Sequence, residues 1–316
     1  MLTRLFYLIK PFIPRRIQFS LRRLVIRLNL KKNRHVWPIK KEAGVKPEWF
    51  SAWPDNKKFV LIVTHDVELN TGLEKIEKLI KIDEKYGINS SVGLIPERYT
   101  VTDELLELLR SRNRGIYVHD LNHDGKLFSN YTVFHQRAPE INRYLHDWNV
   151  NGFRAGAMHH NLEWIGELDI RYDMSTFDTD PFEPMPDGVD TIFPFVASSS
   201  STGNSYVEIP YTLPQDLLVL VLHPEKSTDI WKRKLDWIVQ HSGMASVNVH
   251  PDYMYFSEEK KSFDNYPYRQ YEDFLSYIVD RYSAILWNPF PEELSSYIST
   301  ISHEFFKRHR HNNSGA

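Results

Sequence analysis

The sequence contains no cysteine. Disulfide scaffolds, thiolate metal sites and cysteine nucleophiles are therefore excluded, and any metal ion must be held by His nitrogens and carboxylate oxygens. Long apolar runs are also lacking, since no stretch approaches the roughly 18 apolar residues that span a bilayer. A basic excess is lacking as well. The formal net charge of the 316-residue chain is -2, which argues against a general nucleic-acid-binding protein.

The N-terminal region alternates basic and apolar residues, and Lys10, Arg15 and Arg22 are among those that interrupt its apolar runs. A secretory signal needs an uninterrupted apolar core and then a small-residue cleavage site, so this pattern does not predict one. Between residues 18 and 30, apolar residues recur at near-helical spacing opposite arginines. This spacing predicts either an interfacial helix on an anionic inner membrane surface or a basic helix packed across the outside of the domain. A mitochondrial targeting segment has a similar pattern, and we expect a cytoplasmic protein.

Three regions are expected along the chain: a basic amphipathic segment over residues 1–57, a single domain over residues 58–308 and a disordered tail over residues 309–316. In the domain, short apolar segments alternate with segments of helical periodicity. The predicted strands cover residues 58–64, 88–94, 115–119, 152–154, 170–175, 217–222 and 245–250. The predicted helices cover residues 73–86, 103–112, 134–148, 162–168 and 229–240. This order implies parallel strands with helices packed outside, in a barrel or an open doubly wound sheet.

Polar side chains that can carry chemistry follow several of these strands. Asp66 and Glu68 follow the first strand and point the same way, because side chains alternate with a period of two. Two adjacent carboxylates are costly unless a cation or an arginine shares the site. His119 and His123 follow the third strand with the i, i+4 spacing that lets two histidines bind one Zn²⁺. Together these residues make a His₂-carboxylate set that leaves positions open for water and substrate, as catalytic metal sites do.

Two further residues end predicted strands. Arg154 stands beside small residues and could hold a carboxylate, although a surface arginine is the commoner reading of such a residue. His250 leaves the last predicted strand where a general acid could sit, although a lone histidine at a strand end is usually inert.

The order of these groups resembles the polysaccharide deacetylase family, also called NodB-like or carbohydrate esterase family 4, over residues 59–255. Thr64–Glu68 stands where the family has its TFDDG motif. His119–His123 matches the H-[ST]-x-x-H metal motif in spacing, with Asp120 in place of the hydroxyl residue. Arg154 fits the arginine of R-x-P-Y without the Pro and aromatic that follow it, and Val247–His250 fits the final L-x-x-H.

This resemblance implies a fold, a cofactor and residue roles. The fold is α/β, a distorted (β/α)₇ TIM-like barrel, and the cofactor is one divalent metal, Zn²⁺ or alternatively Co²⁺ or Ni²⁺. Asp66 takes the position of the catalytic base, oriented by Arg154, and His250 that of the acid. Phe177–Asp180 falls where the family has an Asp–Trp motif, without the Trp, so Asp178 or Asp180 is the expected charge partner of His250.

One departure from the family pattern leaves the ligand set open. The family's metal-binding aspartate directly follows the base, and that position is Val67 here. Glu68 is the expected replacement, because it faces the site and Val67 faces away. His119 and His123 are expected metal ligands in either case. The third ligand is either Glu68, with Asp66 as the base, or Asp66, with Glu68 as the base.

The resemblance implies a metal-dependent hydrolase that removes an N-acetyl or O-acetyl group from an amino-sugar-containing glycan or glycan precursor. Two alternatives stay open: a catalytically degenerate protein of this fold that binds saccharide, and a small-amide hydrolase of the same superfamily. The N-terminal pattern favours an intracellular substrate, such as a lipid-linked or nucleotide-linked precursor of a surface glycan, and a peripheral contact with the inner membrane surface. No nucleic-acid partner is expected.

Overall fold

The computed structural model describes residues 13–183, 185, 187–256, 259 and 261–313, with side chains as far as residue 308. The strands are β1 (Phe59–Asp66), β2 (Ser91–Leu94), β3 (Gly115–His119), β4 (Gly152–Arg154), β5 (Tyr172–Asp173), β6 (Phe195–Ser198), β7 (Ser205–Glu208), β8 (Met244–Asn248), β9 (Met254–Tyr255), β10 (Tyr266–Pro267) and β11 (Leu286–Trp287). The helices are α1 (Arg15–Asn33), α2 (Asn70–Leu73), α3 (Ile76–Lys85), α4 (Asp103–Ser111), α5 (Tyr131–Asp147), α6 (Leu162–Ile165), α7 (Asp229–Gln240), α8 (Tyr268–Tyr282) and α9 (Pro291–Asn313).

The predicted alternation of strands and helices is present from β1 to α7. The bounds expected for β3, β4 and α7 agree with the structure. Side chains cap two helices at the expected residues: Thr102 accepts a hydrogen bond from the Leu105 amide, and Asn161 accepts one from the Trp164 amide. These caps satisfy amide groups that have no partner within the first turn of a helix.

Nine of these strands form one curled sheet in the order β11-β1-β2-β3-β4-β5-β7-β6, with β8 also paired to β1, and β9 and β10 pair separately. All these pairings are parallel except that of β6 with β7. The chain following β7 then meets β8, because the amides of Thr212 and Leu213 donate to the Ser246 carbonyl at 3.1 and 3.0 Å. The Thr212 hydroxyl also donates to the Met244 carbonyl and accepts from the Ser246 amide. The predicted α/β fold is thus confirmed, and its curled parallel sheet is consistent with a (β/α)₇ barrel.

One predicted strand is a helix, and the strand that follows β5 in the sheet was not predicted. Residues 217–222 were expected to form a strand, but Leu217–Leu222 is a π-helix. A short apolar run without periodicity does not distinguish a buried strand from a buried helix, and the Asp216 carboxylate accepts from the Leu217 amide at 2.8 Å at the start of this helix. The strand that the barrel uses instead is β7, which was not predicted because Ser205 and Glu208 leave only two strand-favouring residues between them.

The C-terminal end of the chain also differs in part from expectation. Helix α9 extends to Asn313 and so includes five residues of the expected disordered tail, because neither Gly nor Pro interrupts the chain between Pro291 and Asn313. At the N-terminus, α1 packs on the domain through buried Phe19 and Ile26. Among the described helices, none combines the length and apolar character needed to cross a bilayer.

A buried polar network fixes β1 against the helices outside the sheet. His65 Nε2 lies 2.8 Å from Asp83 Oδ2 on α3, and the Ser90 hydroxyl donates to the same oxygen at 2.6 Å. The Tyr271 hydroxyl on α8 donates to Asp83 Oδ1 at 2.7 Å. All four residues are buried. Because His65 precedes Asp66 in the strand and points to the opposite face, this network helps to position the polar residues at the end of β1.

We predict that Asp83→Ala lowers the free energy of unfolding by about 3 kcal/mol or more, since it leaves three buried polar groups without their partner. Urea denaturation followed by circular dichroism measures this change. The control is Asp280→Ala on the exposed side of α8, which should change the free energy of unfolding by no more than about 0.5 kcal/mol. Equal effects of the two substitutions would contradict the assignment of Asp83 as the centre of the network.

Candidate active site

The carboxylate of Asp66 lies at the carboxyl end of β1 and is surrounded by hydrogen-bond donors. Arg154 Nη1 lies 3.2 and 3.3 Å from its two oxygens, and Asn248 Nδ2 donates to Oδ2 at 2.6 Å. The Tyr117 hydroxyl donates to Oδ1. Only 3% of the Asp66 side chain is exposed. Although burial acts to raise the pKa of Asp66, the charge of Arg154, with smaller contributions from His119 and His250, holds it below the ordinary value.

Close approach of the backbone makes this arrangement possible. Gly93 on β2 is the register partner of both Asp66 and Tyr117. A Cβ atom at residue 93 would lie 2.5 Å from the Tyr117 ring and 2.7 Å from Asp66 Oδ1. Only glycine therefore leaves room for the Tyr117–Asp66 hydrogen bond at this point of the sheet.

Two histidine–carboxylate pairs lie side by side. His119 Nε2 is 3.7 Å from Asp66 Oδ2, and His123 Nε2 is 3.6 Å from Glu68 Oε1. The two imidazole rings have their centroids 4.9 Å apart. Glu68 also accepts a hydrogen bond from the Tyr253 hydroxyl at 2.8 Å. The structure thus brings the expected pair of carboxylates and the expected pair of histidines into one continuous cluster.

The donors of this cluster suit a divalent cation. Among the described residues, no three His, Asp or Glu side chains converge as ligands do around an ion. The side chains of the cluster form two pairs instead, Asp66–His119 and Glu68–His123. His119 Nδ1 lies 3.1 Å from the Arg154 carbonyl, which can only accept a hydrogen bond, so Nδ1 carries the proton and the Nε2 lone pair faces Asp66. Two ligands of one Zn²⁺ ion lie roughly 3.4 Å apart when each bond is about 2.1 Å long, close to the separation within each pair. The residues present therefore fit a metal ion.

Burial and neighbouring side chains shift the pKa values of two further residues of the cluster. Burial is the largest cause that lowers the pKa of His119 to about 4, which favours the neutral imidazole that binds metals. For Glu68, burial acts to raise the pKa, but the nearby His123 holds it below the ordinary value. The ionised carboxylates and the neutral His119 are the protonation states that metal ligation requires.

His250 belongs to a second pair beside the cluster. Its Nδ1 lies 2.7 Å from Asp216 Oδ1, and its Nε2 lies 3.9 Å from Asp66 Oδ2. Asp216 also accepts from the His250 amide and the Tyr266 hydroxyl, both at 2.8 Å. Burial acts to lower the pKa of His250, but the charge and hydrogen bond of Asp216 raise it to about 10. His250 is therefore a cation at neutral pH, with Nε2 directed toward the cluster.

The structure corrects the expected charge partner of His250. Asp216, and not Asp178 or Asp180, occupies that position. Asp178 is buried and its Oδ2 lies 2.6 Å from Lys234 Nζ on α7, an ion pair within the protein interior. Asp180 is also buried, and its Oδ1 accepts from the Phe182 amide at 3.0 Å. Because the sequence motif contains no information on Lys234, it could not reveal that Asp178 is already paired.

Other residues of the site were not predicted. Asn248 could have been found, because it ends β8 two residues before His250 and the chain continues in extended form, so the two side chains share a face. Tyr117 lies two residues before His119 on β3 and could have been found in the same way. No sequence signal indicated Asp216 or Tyr253, which approach the cluster from the start of the π-helix and from the turn after β8.

The cluster is open mainly on the side of Glu68 and His123, whose side chains are 21% and 14% exposed. The side chains of Asp66, His119, Arg154 and His250 are exposed by no more than 4%. A separate cavity of about 620 Å³ lies at the amino ends of β2 and β3, beside Ser91 and Gly115. It opens at the other end of the sheet and does not include the cluster. Substrate would therefore reach the cluster past Glu68 and His123.

We predict that Asp216→Asn removes a pH-dependent part of the stability. In the chelator-treated wild type, the His250 pKa of about 10 lies above the unfolded-state value of about 6.5. Its contribution to the free energy of unfolding is thus present in full below about pH 6.5 and is lost as the pH rises through about 10. Asp216→Asn should be less stable at neutral pH and lose less stability on going to alkaline pH.

Urea denaturation at a series of pH values measures this difference, with Asp229→Asn, at the exposed start of α7, as the control. The control should follow the wild-type curve. Parallel curves for the wild type and Asp216→Asn would show that the two residues are not coupled.

No protein-family model and no curated protein matches the sequence. Solved structures match the fold. One from Mycobacterium smegmatis, assigned as a polysaccharide deacetylase, has a TM-score of 0.59 at 14% identity, covering 81% of this chain and 95% of its own. The PuuE allantoinase structure has a TM-score of 0.59 at 13% identity, covering 80% and 93%. One from Pseudomonas aeruginosa PAO1, also assigned as a polysaccharide deacetylase, has a TM-score of 0.55 at 12% identity, covering 77% and 92%. The chain therefore has the fold that these polysaccharide deacetylase and allantoinase structures share.

Proposed function

We propose that the protein is a metal-dependent hydrolase that removes an N-acetyl or O-acetyl group from an amino-sugar-containing glycan or glycan precursor. The observation that carries the proposal is the position of the Asp66–His119 and Glu68–His123 pairs directly beside the His250–Asp216 pair. A set of metal-binding donors next to a protonated histidine is what hydrolysis of an amide needs.

The proposed cofactor is one divalent metal ion, Zn²⁺ or alternatively Co²⁺ or Ni²⁺. His119 and His123 would hold it through Nε2, together with Glu68, Asp66 or both. A bound ion would act as a Lewis acid toward the carbonyl oxygen of the acyl group. The Arg154 carbonyl would keep the His119 ring in the tautomer that leaves Nε2 free.

The base is one of the two carboxylates, and two divisions of labour fit the geometry. In the first, Asp66 deprotonates the attacking water while Arg154 and Tyr117 orient the carboxylate oxygens of Asp66. In the second, Asp66 is the ligand and Glu68, the more exposed carboxylate, is the base. The three donors that hold Asp66 make it the weaker base, which supports the second division. The match of Asp66 to the base position of the resembling family supports the first.

His250 is the proposed general acid. Hydrolysis of an amide must supply a proton to the departing nitrogen, and a histidine that is protonated at neutral pH can do so. Its Nδ1 is fixed by Asp216, so the proton on Nε2 is the one directed to the cluster. As the C–N bond breaks, the nitrogen takes the His250 proton and leaves as the amine. The carboxylate base and the new carboxylic acid release their protons to solvent, and the imidazole is reprotonated from solvent.

The proposed substrate is an intracellular lipid-linked or nucleotide-linked amino sugar, and the proposed location is the cytoplasm. Support for both comes from the sequence pattern of the N-terminal region. Activity confined to mature extracellular polymer, or recovery of the protein in the culture medium, would contradict them. A contact with the membrane surface depends on helix α1 and is a separate proposal.

A second candidate is hydrolysis of a small amide. The similarity in fold to PuuE allantoinase supports it to the same degree as the similarity to the first deacetylase structure, because the two TM-scores are equal. Release of acetate from N-acetylated sugars, compared with hydrolysis of allantoin by the same preparation, distinguishes the two functions. Activity on neither class would favour a protein that only binds saccharide.

We predict that the wild type, purified under metal-replete conditions, contains about one divalent metal ion per chain. His119→Ala and His123→Ala should each lose most of it, because each removes one of the two nitrogen ligands. Elemental analysis measures the metal content. His146→Ala is the matched control, since its side chain is 92% exposed on α5, and it should keep the metal. A wild type that binds no metal would contradict the metal-dependent mechanism.

We further predict that Asp66→Asn and Glu68→Gln separate base from ligand. The variant that removes the base should keep its metal and lose about 10²-fold or more in kcat for acetate release. The variant that removes a ligand should lose metal, and added metal should restore part of its activity. Substitutions that leave both metal content and kcat unchanged would show that the cluster is not the active site.

A further inference from the structure

Helix α1 presents two apolar faces. Phe19, Ile26 and Leu30 pack against the domain. On the opposite side of the helix, Ile17, Leu21, Leu24 and Leu28 follow at intervals of four, three and four residues and form one straight stripe. These four side chains are 50%, 42%, 53% and 71% exposed. We call them the outer stripe.

The surroundings of the outer stripe are basic. Arg16, Arg27, Lys31 and Lys32 lie on its two sides by helical spacing, and all four are exposed. The helix contains no Asp or Glu. Residues 1–34 as a whole carry ten Lys and Arg and no acidic residue, so in a chain of net charge -2 the remaining residues carry a formal charge of -12. Positive charge is thus concentrated on the helix that also exposes the apolar stripe.

From this combination we propose that the outer stripe of α1 docks the protein on an anionic lipid bilayer surface. Exposed apolar side chains along a surface helix can enter the boundary between headgroups and acyl chains, while flanking Lys and Arg reach the lipid phosphates. An anionic bilayer is favoured over another occupant because the stripe is flanked by positive charge on both sides, whereas the rest of the chain is acidic and would repel the same surface. This proposal does not depend on the hydrolase activity.

The inner face of α1 connects the outer stripe to the candidate active site. Arg23 donates to the carbonyls of Val221, in the π-helix that begins after Asp216, and Phe263, near Tyr266. These elements hold the Asp216 and Tyr266 side chains that contact each other beside His250. Arg23 therefore connects the helix that carries the outer stripe to the part of the barrel that contains the His250–Asp216 pair, and docking would bring this part near the bilayer.

The test is cosedimentation of the full chain with vesicles of phosphatidylcholine alone or with part of it replaced by phosphatidylglycerol. The wild type should bind the anionic vesicles and release them at high salt. Leu24→Ser/Leu28→Ser should weaken binding by about tenfold or more, because each leucine loses its transfer into the lipid boundary. Arg27→Gln/Lys31→Gln should reduce binding to the level of neutral vesicles.

The matched control is Val45→Ser, because Val45 is as exposed as Leu28, at 71%, but lies outside α1. It should bind like the wild type. Failure of the wild type to bind anionic vesicles at low salt, or equal binding to neutral vesicles, would overturn the proposal. Two other results would also overturn it: a clear loss of thermal stability in Leu24→Ser/Leu28→Ser, which would place the stripe in an internal contact, or conversion of a dimer to a monomer by that variant in light scattering, which would place it between two copies.

Because vesicle binding is read without substrate, its outcome is independent of the metal and acetate-release measurements. A protein that binds anionic vesicles but has no hydrolase activity would support docking and contradict the proposed function. A protein that has hydrolase activity but does not bind anionic vesicles would support the proposed function and contradict docking.

Discussion

The contact between Asp66 and Arg154 is the constraint on which the rest of the site depends. Both side chains are almost completely buried, and an isolated charge at that depth would be strongly unfavourable. The pair is stabilised because Tyr117 and Asn248 also donate to Asp66, while Arg154 Nε donates to the Met174 carbonyl. Each of these donors comes from a different strand or its continuation. The Asp66 carboxylate can therefore have these partners only if the carboxyl ends of β1, β3, β4 and β8 lie together at one end of the barrel.

The same constraint explains why the histidines are where they are. The backbone carbonyl of Arg154 fixes the His119 ring, so one residue holds the carboxylate with its side chain and the histidine with its backbone. His250 approaches Asp66 from the other side, next to Asn248. An arginine, two histidines and an asparagine thus surround one carboxylate, and a neutral His119 limits the positive charge that gathers there. Because the parallel strands of the barrel end together, these buried polar side chains lie close enough to pair with one another.

The sequence predicts the parts of this arrangement that strand ends determine. Asp66, His119, Arg154 and His250 each follow a short apolar segment, so parallel pairing alone brings them together. The sequence does not predict contacts made by residues outside the regular strands and α-helices. Asp216 lies 34 residues before His250, at the start of an apolar segment that forms a π-helix rather than a strand. Asp178 does not pair with His250, because the ammonium group of Lys234 already binds its carboxylate. That contact joins residues that are distant in sequence, so the sequence does not predict it.

The position of the second carboxylate follows from the backbone at the end of β1. The Val67 amide donates to the Gly93 carbonyl at 3.0 Å, so the extended pairing with β2 continues past Asp66. The Val67 carbonyl accepts from the buried Tyr99 hydroxyl at 2.6 Å, and the Val67 side chain lies fully within the apolar core. An aspartate at this residue would bury an unpaired charge. Glu68 returns to the face of Asp66 and has the longer side chain, which reaches His123 from one residue farther along the strand. The second carboxylate therefore stands at residue 68 and not at residue 67, whose side chain belongs to the core, and two carboxylates lie beside two histidines.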